Sequence, residues 1–476
     1  MMKMMRAFAM IAVLLPLAAC GGQDQAPKTT VVGADGTRPA AENTLPPTDS
    51  TIPTQEEILP SATPTLPVPT HTPAPTATRT PRPTPTTMTY HETSEGVEFW
   101  TYGGALNDNA VDVLLLEDGG MLLAGMANNP GPSHRITTGN ARLVRTDASG
   151  AIVWQKDYGG ELDAAFEAVI QAGEDAYVAV GTIAASYERN ETDIYLVKVD
   201  GDGNQLWSQA FGGFGMDHGK RVIQTTDGGF VITGSTADSY VTGNLYQGNV
   251  ILIKTDAGGN ELWTHTYGEK ILYVAWAVNQ APDGGFVVTG WEARTIEDRD
   301  VIVLKTDAEG TLEWSRSWDL DPNDRDGGFD SIVTSDGSIV VACIRSMDSG
   351  VIGAAVIKLD LQGNELWQRS YGQGVVGNEF WDILQDADGG YVLSGVVIHS
   401  VNPATGRFVS DGWIIKIDAD GDLLWEYVFA REGYEQLLLS AAALLPNGSY
   451  VFVGAATRSG EEYSDILWLK YTGPPN

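Results

Sequence analysis

The residues able to do chemistry are scattered along this chain and form no known catalytic motif. Its 476 residues contain no His-Glu-x-x-His, no Gly-x-Ser-x-Gly and no Walker-type phosphate loop. The six histidines show no ligand spacing with one another. Cys343 lies in an apolar run, which predicts a buried and unreactive thiol. The sequence leaves one catalytic arrangement open, in which the fold brings two carboxylates together as the acid and base of a glycosidase.

One acidic segment has the composition of a cation site. Asp319, Asp321 and Asn323, followed by Asp324 and Asp326, place oxygen donors before a glycine, and Ca²⁺ prefers such ligands. The distal bidentate glutamate of an EF-hand is missing, and acidic turns are common in a chain with 62 Asp and Glu residues. We keep calcium as a candidate cofactor here, with an ordinary acidic turn as the favoured alternative, and we expect no other cofactor.

The charge of the chain limits its partners. Lys and Arg number 29 against 62 Asp and Glu, for a net charge of −33, and residues 96–476 carry −31 of it. Nucleic acid is excluded, because phosphate binding requires clustered cations. Cationic partners or metal ions are favoured over anionic polymers. The two cysteines cannot provide a disulfide framework.

The N-terminus predicts export and lipid anchoring. Residues 1–19 combine Lys3 and Arg6 with an apolar run that is too short for a stable membrane span. The segment Leu17-Ala18-Ala19-Cys20 resembles the lipobox of bacterial lipoproteins, which implies cleavage before Cys20 and acylation of its thiol. We therefore expect an extracytoplasmic protein that is held on a membrane by acyl chains alone.

Residues 20–95 predict a disordered linker. They hold 14 of the 23 prolines, many alternating with threonine, and lack the apolar side chains needed to offset the entropy of ordering. Pro-rich chains of this kind are extended, so the linker would carry the next domain away from the membrane.

Residues 96–472 contain a repeat about 54 residues long with four landmarks. These are an aromatic residue, usually followed by glycine, an Asp-Gly-Gly turn, a basic residue in an apolar run, and Asp-x-x-Gly-x-x-x-Trp. The aromatic landmarks are Tyr102, Tyr158, Phe211, Tyr267, Trp318, Tyr371 and Phe429. The basic landmarks are Arg145, Lys198, Lys254, Lys305, Lys358, Lys416 and Lys470. The Trp landmarks are Trp154, Trp207, Trp263, Trp314, Trp367 and Trp425, and they predict packing between neighbouring copies.

Each copy has four short apolar runs separated by turn signals, which predicts a four-stranded antiparallel sheet. The repeat resembles that of secreted bacterial and archaeal β-propeller proteins, which look similar to quinoprotein-type and WD-type propellers. We predict an all-β fold: a seven-bladed β-propeller of four-stranded antiparallel blades, preceded by the Pro/Thr-rich linker. The last copy lacks its closing strand, and residues 97–102 precede the first copy, so we predict that this N-terminal strand closes the ring.

Propeller topology separates short, uniform turns from long, variable loops on the opposite face. Among the residues in these loops, Tyr240, Tyr246, His399 and Arg407 are candidate ligand contacts. We predict a monomeric, non-catalytic binding module for an extracellular or envelope protein or glycan. Two alternatives stay open: a scaffold lipoprotein for envelope assembly, and an enzyme acting on extracellular polysaccharide, of endoglucanase or lyase type. Fold alone does not decide among them.

Overall fold

The computed structural model describes residues 88–94, 96–104, 106–129, 139–186, 191–237, 248–268, 272–295, 298–320, 325–346, 352–372, 377–403 and 405–472. All regular elements in these ranges are β-strands. No helix in them is long and apolar enough to cross a membrane. Cys20 and most of the predicted linker lie outside the described residues.

After two N-terminal strands, β1 (Met88–Ser94) and β2 (Val97–Gly103), the strands form meanders of consecutive antiparallel neighbours. Meander A is β3 (Asn107–Leu115), β4 (Met121–Asn129), β5 (Asn140–Thr146) and β6 (Ile152–Tyr158). Meander B is β7 (Ala164–Gln171), β8 (Ala176–Ser186), β9 (Glu191–Asp200) and β10 (Gln205–Phe211). Meander C is β11 (Met216–Gln224), β12 (Phe230–Ala237), β13 (Asn249–Thr255) and β14 (Glu261–Tyr267). Meander D is β15 (Leu272–Gln280), β16 (Phe286–Thr295), β17 (Asp298–Thr306) and β18 (Leu312–Trp318).

Three further meanders follow. Meander E is β19 (Gly327–Val333), β20 (Ile339–Ser346), β21 (Ile352–Leu359) and β22 (Glu365–Tyr371). Meander F is β23 (Gly377–Gln385), β24 (Tyr391–Val401), β25 (Phe408–Ile417) and β26 (Leu423–Phe429). Meander G is β27 (Tyr434–Leu444), β28 (Tyr450–Arg458) and β29 (Ser464–Tyr471). The predicted all-β fold of four-stranded antiparallel sheets is confirmed, and this architecture is consistent with a β-propeller.

In six of the seven meanders the first two strands are joined by the turn that the Asp-Gly-Gly landmark predicts, and meander B has Gly173-Glu174-Asp175 there instead. In meander A, Gly119 donates its N–H to the Leu116 carbonyl at 2.9 Å and has φ of 80°. Glycine is needed there because other side chains rarely adopt positive φ. The basic landmark binds the acid of the same turn: buried Lys254 donates to Asp227 at 3.0 Å.

The N-terminal strands pair with meander G. Strand β2 runs antiparallel to β29, with Val97 opposite Tyr471 and Tyr102 opposite Ile466. Strand β1 pairs with the other edge of β2. The sequence assigned β1 to the disordered linker, whereas the structure places it in the sheet. A sheet edge can add a strand through backbone hydrogen bonds alone, so β1 did not need an apolar composition.

Consecutive meanders pack face to face through shared apolar clusters. Tyr158 donates its hydroxyl to the Gly203 carbonyl at 2.8 Å, and Trp154 donates its indole N–H to the Gly201 carbonyl at 3.0 Å, both between meanders A and B. A methyl group built on Gly203 would lie 2.9 Å from the Trp154 ring, so the Asp-x-x-Gly glycine also leaves room for the preceding tryptophan. These contacts explain why the aromatic, glycine and tryptophan landmarks recur together.

The last meander also packs on the first. One apolar cluster joins Trp100 and Trp468 of the sheet formed by β2 and meander G to Val113 and Val144 of meander A. Tyr102 donates its hydroxyl to the Gly150 carbonyl, which repeats the Tyr158 contact, and Ser464 donates its N–H to Asn107 at 3.0 Å.

The first strand of every meander runs toward its Asp-Gly-Gly or equivalent turn. We call the ends of the meanders that carry these turns and the Asp-x-x-Gly turns the turn face. The loop face is the opposite end, which carries the links between meanders and the connections between second and third strands. The uniform turns therefore lie at the turn face, and the variable connections lie at the loop face.

Candidate functional site

The first strand of every meander carries a β-bulge at the same place. In β11 the pairing with β12 skips one residue between Gly219 and Arg221, and the other first strands show the same shift. A bulge lets two successive side chains leave a strand on similar sides. The skipped residues are Val111, Glu167, Lys220, Trp276, Phe329, Trp381 and Ser440. The residues that follow them are Asp112, Ala168, Arg221, Ala277, Asp330, Asp382 and Ala441.

The residues after the bulge include four charged side chains that we call the axial cluster: Arg221, Asp112, Asp330 and Asp382. Arg221 donates to Asp330 at 3.0 Å and approaches Asp112 at 3.7 Å. These three residues belong to meanders C, E and A, which are not consecutive. A single side chain can reach two other meanders in this way only where the first strands of the meanders converge.

The carboxylates of the axial cluster also accept backbone hydrogen bonds from the next meander, just after its bulge. Asp112 accepts the Val169 N–H at 2.8 Å, and Asp382 accepts the Ala442 N–H at 2.9 Å. Asp330 accepts the Ile383 N–H at 3.3 Å. Each acid therefore accepts a backbone N–H on the first strand of the next meander, two residues after its bulge.

The axial cluster is largely buried, and this burial together with the neighbouring charges shifts the pKa values of its members. Burial raises the pKa of Asp112, and it raises the pKa of Asp382 well above its ordinary value, with the charge of Asp330 acting in the same direction. The neighbouring carboxylates raise the pKa of Arg221 despite its burial. The cluster thus holds one permanent cation among three acids and braces the centre of the fold.

The skipped residues form a second layer, one position nearer the loop face. Lys220 donates to Glu167 at 2.8 Å, and its ammonium lies 4.3 Å from the centre of the Trp276 ring. The Trp276 ring in turn lies 5.1 Å from the Phe329 ring. Charged and aromatic side chains from meanders B to E therefore meet around the axis on the loop side.

Glu379 on β23 is a buried acid that accepts the Trp381 indole N–H at 2.9 Å. Burial raises its pKa to about 7. The folded protein therefore keeps this proton up to about pH 7, whereas the unfolded chain releases it near the ordinary pKa of about 4.3. The contribution of Glu379 to stability is complete below the unfolded pKa and is lost as the pH rises through the folded one.

We expect Glu379→Gln to raise the melting temperature at pH 8 and to leave it nearly unchanged at pH 4.5. The amide keeps the neutral shape, and the gain at high pH is on the order of 1–3 kcal/mol. Thermal melts of both proteins from pH 4.5 to 8 give this difference. Glu426, which is exposed and accepts the Trp413 indole N–H at 2.7 Å, provides the control Glu426→Gln. Equal pH profiles for wild type and Glu379→Gln would contradict the assignment.

The predicted site residues that the structure describes lie mainly at the loop face. His399 contacts Asp411 at 2.8 Å across the β24–β25 hairpin. Arg407 donates to the Glu461 carbonyl at 3.0 Å and to the Glu462 carbonyl, which ties meander F to meander G. Both side chains thus have partners within the protein. Tyr240 and Tyr246 lie outside the described residues.

The calcium prediction remains a prediction. Asp319 is exposed after β18, and Asp326 is buried and accepts the Leu320 N–H at 2.6 Å. Asp321 and Asn323 fall outside the described residues. In the part of the chain that the structure describes, no three His, Cys, Asp or Glu side chains converge as a metal site.

Two surface grooves lie between the outer strands of neighbouring meanders. One has a volume of about 430 Å³ and includes Lys156, Tyr158 and Asn204 in its lining; the other has about 270 Å³ and includes Tyr371 and Trp413. Both are lined by the landmark tyrosines that hold meanders together, so their residue types follow from the repeat.

Comparisons with known proteins show a likeness of fold only. No family model and no curated protein matches the chain. A polysaccharide lyase of family PL25, an ulvan lyase, is 8% identical, with 76% of this chain and 94% of that chain covered at a TM-score of 0.48. The Pseudomonas aeruginosa periplasmic gluconolactonase is 13% identical, with 70% and 92% covered at 0.45. The Neurospora crassa Pan2 WD40 domain is 9% identical, with 65% and 90% covered at 0.40. Nothing about the activity of this chain follows from these values.

Proposed function

We propose that this chain is an extracytoplasmic binding module. It is a seven-bladed β-propeller closed by β2, anchored through acylated Cys20 and held off the membrane by residues 21–87. It binds a protein or glycan at the loop face without catalysing a reaction. The observation that carries this proposal is the contrast between the two faces of the described sheets.

The turn face is uniform. The Asp-Gly-Gly turns repeat one hydrogen-bond pattern, from Gly119 to Leu116 in meander A through Gly448 to Leu445 in meander G. The Asp-x-x-Gly turns repeat another, in which one carboxylate accepts two backbone N–H groups, as Asp256 does from Gly258 and Asn260. A surface on which each of these two turns occurs six times with the same hydrogen bonds offers little that is specific to one ligand.

The loop face differs from meander to meander. The connections between second and third strands span residues 130–139, 187–190, 238–248, 296–297, 347–351, 402–407 and 459–463. The contacts described above for Arg407 and for His399 with Asp411 hold the connection at 402–407 in place, and Asn402 donates to Glu435 of meander G. A connection braced in this way suits selective binding, because a preorganised site loses less entropy when a ligand binds.

Ring closure supports the same proposal, because a closed ring makes the loop face rigid. The cluster shared by meanders G and A and the pairing of β2 with β29 favour closure. The charge of −31 on residues 96–476 favours a partner whose own surface is neutral or cationic.

Attaching a polymer to each face in turn tests where binding occurs. Thr405→Cys places an exposed thiol at the loop face, and Ala148→Cys places one at the turn face. Cys343 is buried, and burial raises the pKa of its thiol, so it does not compete for a maleimide reagent. The full chain in detergent is labelled with a maleimide-linked polyethylene glycol and applied to a glycan array and to immobilised envelope proteins.

We expect the label on the Thr405→Cys variant to reduce binding at least tenfold and the label on the Ala148→Cys variant to leave it unchanged. Equal loss from both positions, or loss from the turn face alone, contradicts the proposal. Release of shortened glycan products would favour a polysaccharide-active enzyme. Selective recovery of assembly proteins of the cell's own envelope would favour the scaffold.

A further inference from the structure

The outer edge of β26, the fourth strand of meander F, has no neighbouring strand in the described part of the chain. β26 pairs with β25 alone. In meander G the equivalent place is taken by β2, and β1 is bonded to its outer edge. An outer strand of this fold can therefore accept a further strand through the backbone N–H and C=O groups along its free edge.

The side chains of β26 set it apart from the other outer strands. It exposes three large apolar side chains, Leu423, Leu424 and Val428, whereas the fourth strands of meanders A to E expose one each. Trp425 and Tyr427 instead join the apolar cluster shared with meander G. Sheet edges normally avoid exposed apolar residues, because unpaired backbone beside them is a template for pairing with another chain. β26 therefore has the composition of an edge that receives a partner strand.

A groove of about 270 Å³ lies beside β26, between meanders E and F. Its lining includes Tyr371 of meander E and Trp413, Ile415, Leu423 and Glu426 of meander F. Tyr371 is a landmark of the repeat, but the position three residues before the basic landmark holds tryptophan only in meander F. Alternate residues of a strand added to β26 would point toward this groove, and side-chain pockets beside a free edge give strand addition its selectivity.

Acidic side chains lie around the groove. Glu426, which lines it, is exposed. Burial raises the pKa of the Tyr371 hydroxyl in its wall, and the charge of Arg369 opposes this effect. The charges of Asp418 and Asp422 raise the pKa further, so both carboxylates are close by. Three carboxylates therefore lie near the groove with one guanidinium, and this charge attracts basic side chains and repels acidic ones.

Two other occupants fit this edge less well. The linker of residues 20–95 holds 14 of the 23 prolines, and proline lacks the N–H group that pairing in a sheet requires. A second copy of the chain would bring the same acids to the same edge and a charge of −31 on residues 96–476, so the two copies would repel each other. A segment of a different protein, with basic and apolar side chains, meets neither obstacle.

We propose that the outer edge of β26 binds an extended segment of a partner protein by strand addition. The apolar side chains of the segment cover Leu424, Val428 and the groove, and its basic side chains contact Asp422 and Glu426. Backbone hydrogen bonds supply the affinity, and the groove and the acids select the sequence. This surface lies on the outer side of meander F and not at the loop face, so the inference goes beyond the proposed function.

Fluorescence anisotropy with labelled peptides and the full chain in detergent tests the inference. The probes are a nine-residue peptide of alternating valine and lysine, the same peptide with glutamate in place of lysine, and the valine–lysine peptide with every backbone N–H methylated. We expect the valine–lysine peptide to bind at least tenfold more tightly than either of the other two. Equal binding of the glutamate peptide would contradict the charge argument, and equal binding of the methylated peptide would exclude strand addition. Either result overturns the inference.

Substitutions at exposed positions locate the binding. The double variant Leu424→Ser, Val428→Ser should bind the valine–lysine peptide at least tenfold more weakly than the wild type. Leu262→Ser is the matched control and should leave binding unchanged, because Leu262 is exposed and precedes Trp263 on β14 as Leu424 precedes Trp425 on β26. Both variants change exposed side chains, so their melting temperatures should match that of the wild type. Equal affinities of the two variants for the peptide would overturn the inference.

Hydrogen exchange on the wild-type chain gives a readout that needs no variant. Bound valine–lysine peptide should slow the exchange of alternate amides within residues 423–429, those that face away from β25, and leave the other outer strands unchanged. Protection of residues 97–103 instead would place the peptide on β2 in exchange for β1 and overturn the inference. Protection of all β26 amides before the peptide is added would show that the linker or a second copy already covers the edge, which would also overturn it.

Discussion

Deleting residues 1–106 is expected to prevent stable folding of the remaining chain, whereas deleting residues 1–87 is expected to leave it folded. The longer deletion removes β2, whose Val97, Phe99, Trp100 and Tyr102 are each no more than 5% exposed. At about 1.5–3 kcal/mol for each buried large side chain, the loss is roughly 6–12 kcal/mol. A typical protein has a total stability of about 5–15 kcal/mol.

Circular dichroism, thermal melting and gel filtration of the two deletion variants measure the effect. The longer deletion also uncovers the edge of β29, so we expect it to aggregate. A synthetic peptide of residues 88–106, added in trans, should restore part of the lost structure. If the chain that begins at residue 107 melts like the chain that begins at residue 88, β2 does not complete the last sheet.

The second large effect is expected from Arg221→Met. Methionine fills a similar volume but leaves Asp112, Asp330 and Asp382 without their cation. Breaking a buried ion pair on one side costs about 3–5 kcal/mol, because uncompensated charge stays buried. We expect a loss of that size in the free energy of unfolding, measured by urea denaturation at pH 7.

Removing charge from both sides separates this explanation from simple loss of packing. Arg221→Met combined with Asp330→Asn should recover more than half of the stability lost in the single variant, because fewer carboxylates remain uncompensated. Arg316→Met, at an exposed position on β18, serves as the control and should change stability by less than about 0.5 kcal/mol. A single variant as stable as the control would show that the axial cluster does not brace the fold.

The architecture was predictable because the repeat encodes local structure many times over. Glycine at positive φ marks turns such as the one at Gly119, and the tryptophan–glycine spacing marks contacts such as Trp154 with Gly203. Both requirements are steric and act within one repeat or between neighbouring repeats. The residues that meet them therefore recur at a regular spacing in the sequence. Strand β1 was missed because its place depends on a free sheet edge, which no local pattern records.

The axial cluster was missed because it is defined by differences among the repeats. Aligned at the turn, the position six residues earlier reads Asp112, Ala168, Arg221, Ala277, Asp330, Asp382 and Ala441. Three acids and one arginine at a position that is otherwise alanine, inside apolar strands, are visible once the repeats are aligned. Their meaning depends on which meanders face one another across the axis, and that depends on the tertiary fold.

The contacts of the loop-face candidates could not be predicted for a similar reason. The sequence directed attention to long loops and to His399 and Arg407, which the structure shows contacting other parts of the protein.

Hydrogen exchange of residues 97–102 in the full-length chain tests the central claim, that the strand before the repeats completes the last sheet and closes the ring. The account predicts that these amides exchange as slowly as those of β28 and β29 and become labile only on global unfolding. Exchange within seconds at residues 97–102, while β28 stays protected, would contradict it.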